Sequence, residues 1–291
     1  MSAIASRRPA RAHRTSLRLG LDLRRAAVVA GVVVAYIALG WAFRLPADAY
    51  LLLGIPITIA FQALVARRPL RSLWLRTAPA FAFTPRSLVA TAVVAVAPAA
   101  LAMAGLRDGD PVRVAYGLAG IAGAIGAVYA LRSMDGQAVR ATVRAAALGS
   151  TAMVGVMVAY RLATGGFSGD IVPALAAVLV SLATYLPVVF VMEEVLFRGA
   201  LDPYLVAGSG GGGADLGRGW GPAVFGSALW GLWHLPVAFV DLGMLLIPYL
   251  VVVHSALGYA LVASWRRTGN LVAPGVAHAV SDALRNAIAV L

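Results

Sequence analysis

The sequence predicts an all-α fold, a polytopic integral-membrane helical bundle with about eight or nine transmembrane helices. Hydrophobic residues make up 61% of the chain, charged residues 12%, and the mean hydropathy is +0.85, far from the values of a soluble domain. Apolar runs of roughly 20 residues, the length that crosses a bilayer, recur along the chain. They lie near 26–43, 49–66, 87–106, 112–131, 143–162, 171–197, 221–240, 243–264 and 271–290, which gives nine helices, or eight if one is re-entrant.

The pattern divides the chain into three parts. Residues 1–25 form a basic tail, residues 26–170 form the N-terminal transmembrane helices, and residues 171–291 form a C-terminal core. The first five apolar runs carry few polar residues away from their ends, whereas the last four carry both glutamates and three histidines. We therefore expect the chemistry in the C-terminal core. The glycine-rich stretch 207–219 is a flexible linker, since it lacks the strand and the Lys-Ser/Thr pair of a phosphate-binding loop.

The net charge of +12 is distributed in a way that indicates a membrane partner. Seven arginines precede the first apolar run, and the loops on the same side carry at least as many arginines as their neighbours on the other side. The positive-inside rule then places the N-terminus in the cytoplasm and the protein in the plasma or inner membrane. The tail contacts anionic lipid, so the predicted partner is the lipid bilayer and not nucleic acid. The absence of cysteine excludes disulfides and a cysteine nucleophile.

The only two glutamates of the chain, Glu193 and Glu194, are adjacent and lie near the end of the run 171–197. Ionised carboxylates in a membrane segment are costly, so such a pair indicates a functional site. Arg198 follows Glu194 by four residues, a helical spacing at which the two side chains form an ion pair. Glu193 projects about 100° away from Glu194 around a helix. We therefore predict that Glu193 is the carboxylate available for chemistry.

Three histidines and an aspartate complete the polar set of the core. His234 follows Trp230 by one helical turn, and Asp282 follows His278 by four residues on the same helix face. Any of these side chains could be a hydrogen-bonded packing element, and we favour that interpretation for His254, which has no acidic residue at helical spacing. The convergence of two carboxylates, an arginine and two or three histidines on four successive helices nevertheless favours a catalytic site.

This set of residues allows two kinds of hydrolytic site. A carboxylate beside a neutral imidazole can deprotonate water, and a second imidazole can polarise a carbonyl group. Alternatively, Glu193, His234 and His278 could bind zinc and leave one position open. No cofactor is certain from the sequence. We favour the metal-independent site, because none of these spacings builds the preformed helix face of a His-Glu-x-x-His motif.

The same residues resemble the motifs of the CAAX protease and bacteriocin-processing family of intramembrane proteases, also called the ABI or type II CAAX prenyl protease family. Its three motifs are Glu-Glu-x-x-x-Arg, aromatic-x-x-x-His and His-x-x-x-Asn/Asp. They are matched in order by Glu193, Glu194 and Arg198, by Trp230 and His234, and by His278 and Asp282. The resemblance covers residues 171–290, and the order and spacing of the motifs are specific only when taken together.

The resemblance implies that three pairs of residues activate water, orient the site and stabilise the oxyanion. Glu193 with His234 would activate water, Glu194 with Arg198 would orient the site, and His278 with Asp282 would stabilise the oxyanion. Asp282 departs from the asparagine that is frequent in prenyl-protein proteases. An ionised carboxylate only accepts hydrogen bonds, so Asp282 can donate to an oxyanion only when protonated. Members of the family are described both as metalloproteases and as glutamate-dependent enzymes, and the sequence does not choose between the two.

The predicted function is therefore that of an intramembrane endopeptidase. It would hydrolyse peptide bonds of a membrane-associated or small peptide or protein substrate, using water activated by glutamate and histidine or bound to a metal. One alternative is a catalytically silent scaffold or bacteriocin-immunity protein that keeps the site as a hydrogen-bonded helix clamp. The other is a proton-coupled carrier in which Glu193, His234 and His278 relay protons.

The arginine distribution makes a prediction about topology. Reporter fusions are expected to place the N-terminus, the segment 198–220 and the pair Arg266 and Arg267 in the cytoplasm, and residue 170 on the opposite side. Two reporters, each active on one side of the membrane only, make the measurement at every junction. An external location for the segment 198–220 would contradict the predicted orientation.

Overall fold

The computed structural model describes residues 20–76, 84–167, 169–207, 219–238, 244 and 246–291. Within these ranges the regular structure is helical, and the extended pairing is limited to an isolated bridge between Leu75 and Asn270. The predicted all-α membrane bundle is therefore confirmed. Most of the predicted basic tail, and the linker between residues 207 and 219, lie outside the described residues.

Eleven α-helices follow one another in the described ranges. They are α1 (Leu23–Ala42), α2 (Ala47–Leu52), α3 (Gly54–Ala60), α4 (Pro85–Asp108), α5 (Pro111–Leu131), α6 (Gly136–Thr164), α7 (Ile171–Met192), α8 (Asp202–Ala207), α9 (Trp220–Trp233), α10 (Leu246–Thr268) and α11 (Val272–Val290). Two π-helical turns, Phe61–Ala66 and Val195–Leu201, continue α3 and precede α8. Two 3-10 turns, Leu70–Leu73 and Leu235–Val237, complete the helical structure.

Seven helical stretches of the described chain are long and apolar enough to cross a membrane. They coincide with the first six predicted segments and with the segment near 243–264. The predicted segment 221–240 is wrong in length, because its helix α9 ends at Trp233. The segment 271–290 forms α11 as predicted, but this helix carries Asp282 and Arg285 and is not among the seven.

Proline explains why α9 stops early. Pro236 lacks the N–H group that would bond to the carbonyl of Leu232, so a 3-10 turn replaces the next helical turn. The carbonyl oxygen of Trp233, near the end of α9, accepts a hydrogen bond of 2.7 Å from the hydroxyl of Tyr50. The helix therefore ends at Trp233, inside the predicted span, and this last residue is anchored to the N-terminal half of the bundle.

Aspartates in the loops begin three of the helices. The side chains of Asp22, Asp110 and Asp135 accept hydrogen bonds from backbone N–H groups in the first turns of α1, α5 and α6. Such N-caps satisfy donors that have no partner within the helix. These aspartates, which the sequence shows only as loop charges, therefore define where the membrane helices start.

Glycine allows close approach of the helices that carry the polar residues. Helix α11 packs against α6 and α7, and α10 packs against α6 and α9. A Cβ atom at Gly231 in α9 would lie 2.4 Å from the carbonyl oxygen of Leu250 in α10, and one at Gly275 in α11 would lie 2.7 Å from the ring of Phe190. Small residues at such crossings are common in membrane bundles. They bring the ends of α7 and α9 beside the middle of α10 and α11.

Arg266 binds one residue that precedes the segment 208–218 in the chain and one that follows it. Its Nε and Nη2 donate to the carboxylate of Asp202 in α8 at 3.1 and 2.5 Å, and its Nη1 donates to the carbonyl of Gly219 at 2.5 Å. The guanidinium of Arg76 donates to the Arg266 carbonyl at 3.1 Å. Arg266 is 6% exposed and Asp202 5%. The ends of α8 and α9 are therefore held together at one end of α10.

The contact between α5 and α7 makes a prediction about stability. A Cβ atom at Gly123 would lie 1.8 Å from the carbonyl oxygen of Pro187, a backbone atom that cannot rotate away. Gly123→Ala is expected to destabilise the fold by about 1–3 kcal/mol, as overpacking does. Denaturant unfolding of the purified protein in detergent measures the change.

Gly155 provides the matched control for Gly123, because a Cβ atom there would meet nothing within 4 Å. Gly155→Ala is expected to leave the stability unchanged or to raise it by up to about 1 kcal/mol through helix propensity. Equal effects of the two substitutions would contradict the proposed importance of the close approach at Gly123.

Candidate functional site

A buried ionic cluster joins the turn after α7 to α11. Glu194 Oε1 lies 3.1 Å from Arg198 Nη1 and 2.9 Å from His278 Nδ1, which donates to it. The exposed fractions of the three residues are 0%, 1% and 2%. The ion pair expected from the four-residue spacing is thus present, and His278 is a second partner from 84 residues further along the chain. Leaving one member of a buried pair alone costs about 3–5 kcal/mol, so the cluster holds the two helices in register.

His278 is held at both ring nitrogens. Its Nε2 lies 3.4 Å from Asp282 Oδ2, at the expected four-residue spacing, and Asp282 Oδ1 lies 3.1 Å from Arg285 Nη1. Arg285 also donates from Nε and Nη2 to Asn286 Oδ1 at 3.2 and 3.1 Å. Basic and acidic groups therefore alternate from Glu194 through Asp282, and the orientation of the imidazole is fixed.

Glu193 faces a different set of partners. Its Oε2 accepts a hydrogen bond of 3.0 Å from Trp230 Nε1 and lies 3.8 Å from His234 Nε2. His234 Nδ1 donates to the Trp230 carbonyl at 2.8 Å, since a carbonyl oxygen can only accept. In the neutral ring, Nε2 is then an acceptor directed towards a carboxylate that is also an acceptor. A water molecule between them can donate a hydrogen bond to each.

The Trp230 ring is the centre of the site. The guanidinium carbon of Arg198 lies 4.1 Å from its centroid, a cation–π distance. The rings of His278, His254 and His234 meet it edge to face at centroid distances of 5.0, 4.9 and 5.3 Å. Trp230 is 1% exposed. One indole therefore sets the spacing between the Glu194 cluster and the pair formed by Glu193 and His234.

The structure adds two residues that the sequence did not indicate as functional. His254 in α10 lies against His234, with ring centroids 4.2 Å apart, and its Nδ1 is 2.9 Å from the Leu250 carbonyl. Arg285 contacts Asp282, as described above. Its three-residue spacing from Asp282 was a local signal that could have been used. His254 had no such signal, because its neighbours come from another helix.

A cavity opens beside these residues. It holds about 40 Å³, room for roughly two or three water molecules. His234, His254 and Arg285 supply its polar wall, and the apolar wall includes Met153, Val237 and Leu246. His234 therefore lies beside Glu193 and also lines a space large enough for water.

The residues proposed as zinc ligands do not fit a metal ion in this arrangement. Both nitrogens of His278 are occupied by the carboxylates of Glu194 and Asp282, so neither lone pair is available to a metal. Among the residues described, no group of three His, Asp or Glu side chains is arranged to hold an ion.

Comparison with known proteins agrees with the motifs. Residues 173–284 match the family model described as type II CAAX prenyl endopeptidase Rce1-like. All three motifs fall inside this range. No curated protein and no solved structure gives a significant match.

The geometry predicts unequal structural effects at the two glutamates. Glu194→Gln leaves Arg198 and His278 buried without their carboxylate, so it is expected to lower the stability by about 3–5 kcal/mol. Adding Arg198→Met removes one of the stranded charges and is expected to recover part of that loss. Thermal unfolding in detergent and the yield of monodisperse protein report both effects.

Glu193→Gln is the matched control, since it changes the adjacent carboxylate in the same way. An amide keeps a carbonyl oxygen that can accept from Trp230 Nε1, so the melting temperature is expected to stay near that of the wild type. Equal destabilisation by Glu193→Gln and Glu194→Gln would contradict the structural role assigned to Glu194.

Proposed function

Because the chain belongs, through residues 173–284, to the type II CAAX prenyl endopeptidase Rce1-like family, we propose that it is an intramembrane endopeptidase that activates water with Glu193 and His234. Its substrate is a membrane-associated or small peptide or protein. The observation that carries the proposal is the pair of acceptors, Glu193 Oε2 and His234 Nε2, 3.8 Å apart beside a cavity. A catalytic base in this position can take a proton from water that is held against the scissile carbonyl.

The proposed reaction begins with water held between Glu193 and His234. Glu193 takes one proton as the water oxygen bonds to the carbonyl carbon, and the carbonyl electron pair moves to its oxygen. When the tetrahedral intermediate collapses, the C–N bond breaks and the amine nitrogen takes the proton from Glu193. The products are a carboxylic acid and an amine, and Glu193 returns to its ionised form.

The remaining residues of the site keep Glu193 and His234 in place. Trp230 donates to Glu193 through its indole and accepts from His234 through its backbone, so one residue orients both. The cluster of Glu194, Arg198 and His278 fixes the turn on which Glu193 lies. Preorganised groups of this kind lower the barrier without rearrangement during the reaction.

The surroundings of the site agree with an enzyme acting within the membrane. The helices that carry the site continue into apolar surfaces such as Leu179 in α7 and Val252 in α10, which are 69% and 66% exposed. Exposed apolar side chains of this kind face lipid in a membrane bundle. We propose that the lipid bilayer is the constant partner, and that the N-terminus lies in the cytoplasm, as the arginine distribution predicts.

A cleavage assay tests the proposal. Purified protein in proteoliposomes is incubated with a library of internally quenched peptides, and new termini are identified by mass spectrometry. The wild type is expected to cleave a subset, and Glu193→Gln to lower kcat by about 10²–10⁴-fold at unchanged folded yield, the loss expected for a missing general base. Cleavage is expected to persist in a strong chelator.

Asp108→Asn is the matched control, because this exposed carboxylate pairs with Arg113 in another part of the chain. It is expected to cleave like the wild type. A folded wild type that cleaves nothing would favour the scaffold function, and proton flux without cleavage would favour the carrier. Full activity of folded Glu193→Gln would contradict the assignment of the base.

A further inference from the structure

We propose that Arg285 is a catalytic residue that binds the oxyanion, in place of a side-chain amide at position 282. The inference rests on the proposed endopeptidase function. It concerns the anionic oxygen that forms when water attacks the scissile carbonyl. No motif of the family includes this arginine, and its assignment comes from its neighbours in the structure.

Asp282 cannot itself bind an oxyanion when it is ionised. A carboxylate has two acceptor oxygens and no donor, so an oxyanion beside it would be repelled. Its Oδ2 faces His278 Nε2 at 3.4 Å, and its Oδ1 faces Arg285 Nη1 at 3.1 Å. The aspartate therefore lies between two basic groups and orients them. The donor that acts on the substrate has to come from another residue.

Arg285 lies next to Asp282 and reaches the cavity. It follows Asp282 by almost one helical turn on α11, and it lines the same cavity as His234 and His254. Its side chain is 16% exposed, whereas that of His278 is 3% exposed. His234 in turn lies beside Glu193. His234 therefore links Glu193 to the cavity wall that contains Arg285, and in the proposed complex the scissile carbonyl lies beside His234.

The guanidinium of Arg285 is anchored by neighbouring side chains. Arg285 Nε and Nη2 donate to Asn286 Oδ1 at 3.2 and 3.1 Å, and Asn286 Nδ2 donates to Ser181 Oγ in α7 at 3.1 Å. Asp282 holds the same guanidinium through Nη1. Arginine stays charged at all relevant pH values and has five N–H donors in a planar group. A fixed cation that is largely shielded from solvent stabilises an oxyanion more strongly than it would in bulk water.

The step that Arg285 assists is the attack of water on the carbonyl. The oxygen of water bonds to the carbonyl carbon, its proton moves to Glu193, and the π electron pair moves to the carbonyl oxygen. Arg285 donates a hydrogen bond to that negative oxygen and neither gains nor loses a proton. When the C–N bond breaks, the electron pair returns and the contact weakens.

The first test separates binding of the ground state from that of the transition state. With a peptide cleaved by the wild type, Arg285→Gln is expected to lower kcat by about 10²–10³-fold, the scale of losing an oxyanion donor, because the glutamine side chain is neutral and too short to take the place of the guanidinium; KM is expected to change by less than about threefold. Arg285→Gln with Asp282→Asn is expected to regain part of kcat per folded molecule, because the asparagine amide can donate where the aspartate cannot. Arg113→Gln, which removes an exposed arginine paired with Asp108 and Asp110, is the control and should be unchanged.

The second test needs no turnover and so separates this inference from the proposed function. A pool of apolar phosphinic peptides, whose tetrahedral anion resembles the intermediate, is titrated against wild type, Glu193→Gln and Arg285→Gln in detergent, with thermal shift as the readout. The phosphinic peptides are expected to raise the melting temperatures of the wild type and of Glu193→Gln. They are expected to bind Arg285→Gln about 10²-fold more weakly. Uncharged peptide amides should bind all three alike.

If folded Arg285→Gln keeps the wild-type kcat or the wild-type phosphinate affinity, the inference is wrong. Absence of cleavage by the wild type would overturn only the proposed function.

Discussion

The buried carboxylate of Glu194 and its two basic partners determine the arrangement of the site. This carboxylate is fully buried, and it is stabilised by Arg198 one turn further along the chain and by His278 from α11. A charge in such a place is tolerated only with partners of opposite charge in good geometry. The position of α11 relative to the turn after α7 is therefore constrained by one carboxylate. Asp282 and Arg285 extend the constraint along α11 because they alternate in charge with His278.

Glu193 and Glu194 are adjacent residues of the same type, but their side chains lie in different surroundings. Glu194 points into the ionic cluster, whereas Glu193 points to Trp230 and His234. The indole ring of Trp230 separates the two environments, since it carries Arg198 on its face and donates to Glu193 from its edge. Hydrolysis by general-base catalysis needs one carboxylate that exchanges a proton and other groups that hold this carboxylate in place. In the proposed mechanism Glu193 exchanges the proton and Glu194 belongs to the groups that hold it in place, because a helical turn directs the two side chains to different sides.

The sequence predicted the local part of this arrangement and could not predict the rest. The pairs Glu194 with Arg198 and His278 with Asp282 follow from four-residue spacing, which a helix fixes by itself. The contact of Glu194 with His278 depends on how two helices cross, and spacing holds no information about that. His254 was interpreted as a packing residue for the same reason, although α10 places it against His234. The length of α9 was predicted from hydrophobicity alone, and Pro236 ended the helix before the apolar run did.

A double-mutant cycle tests the claim that Glu194 and His278 hold the site together. The free energy of unfolding is measured in detergent for the wild type, Glu194→Gln, His278→Asn and the double variant. The account predicts strong coupling: the double variant is less destabilised than the sum of the single variants by about 1–3 kcal/mol, since each substitution already breaks the same contact. Additive effects, within about 0.5 kcal/mol of the sum, would show that the two residues do not depend on each other and would contradict the account.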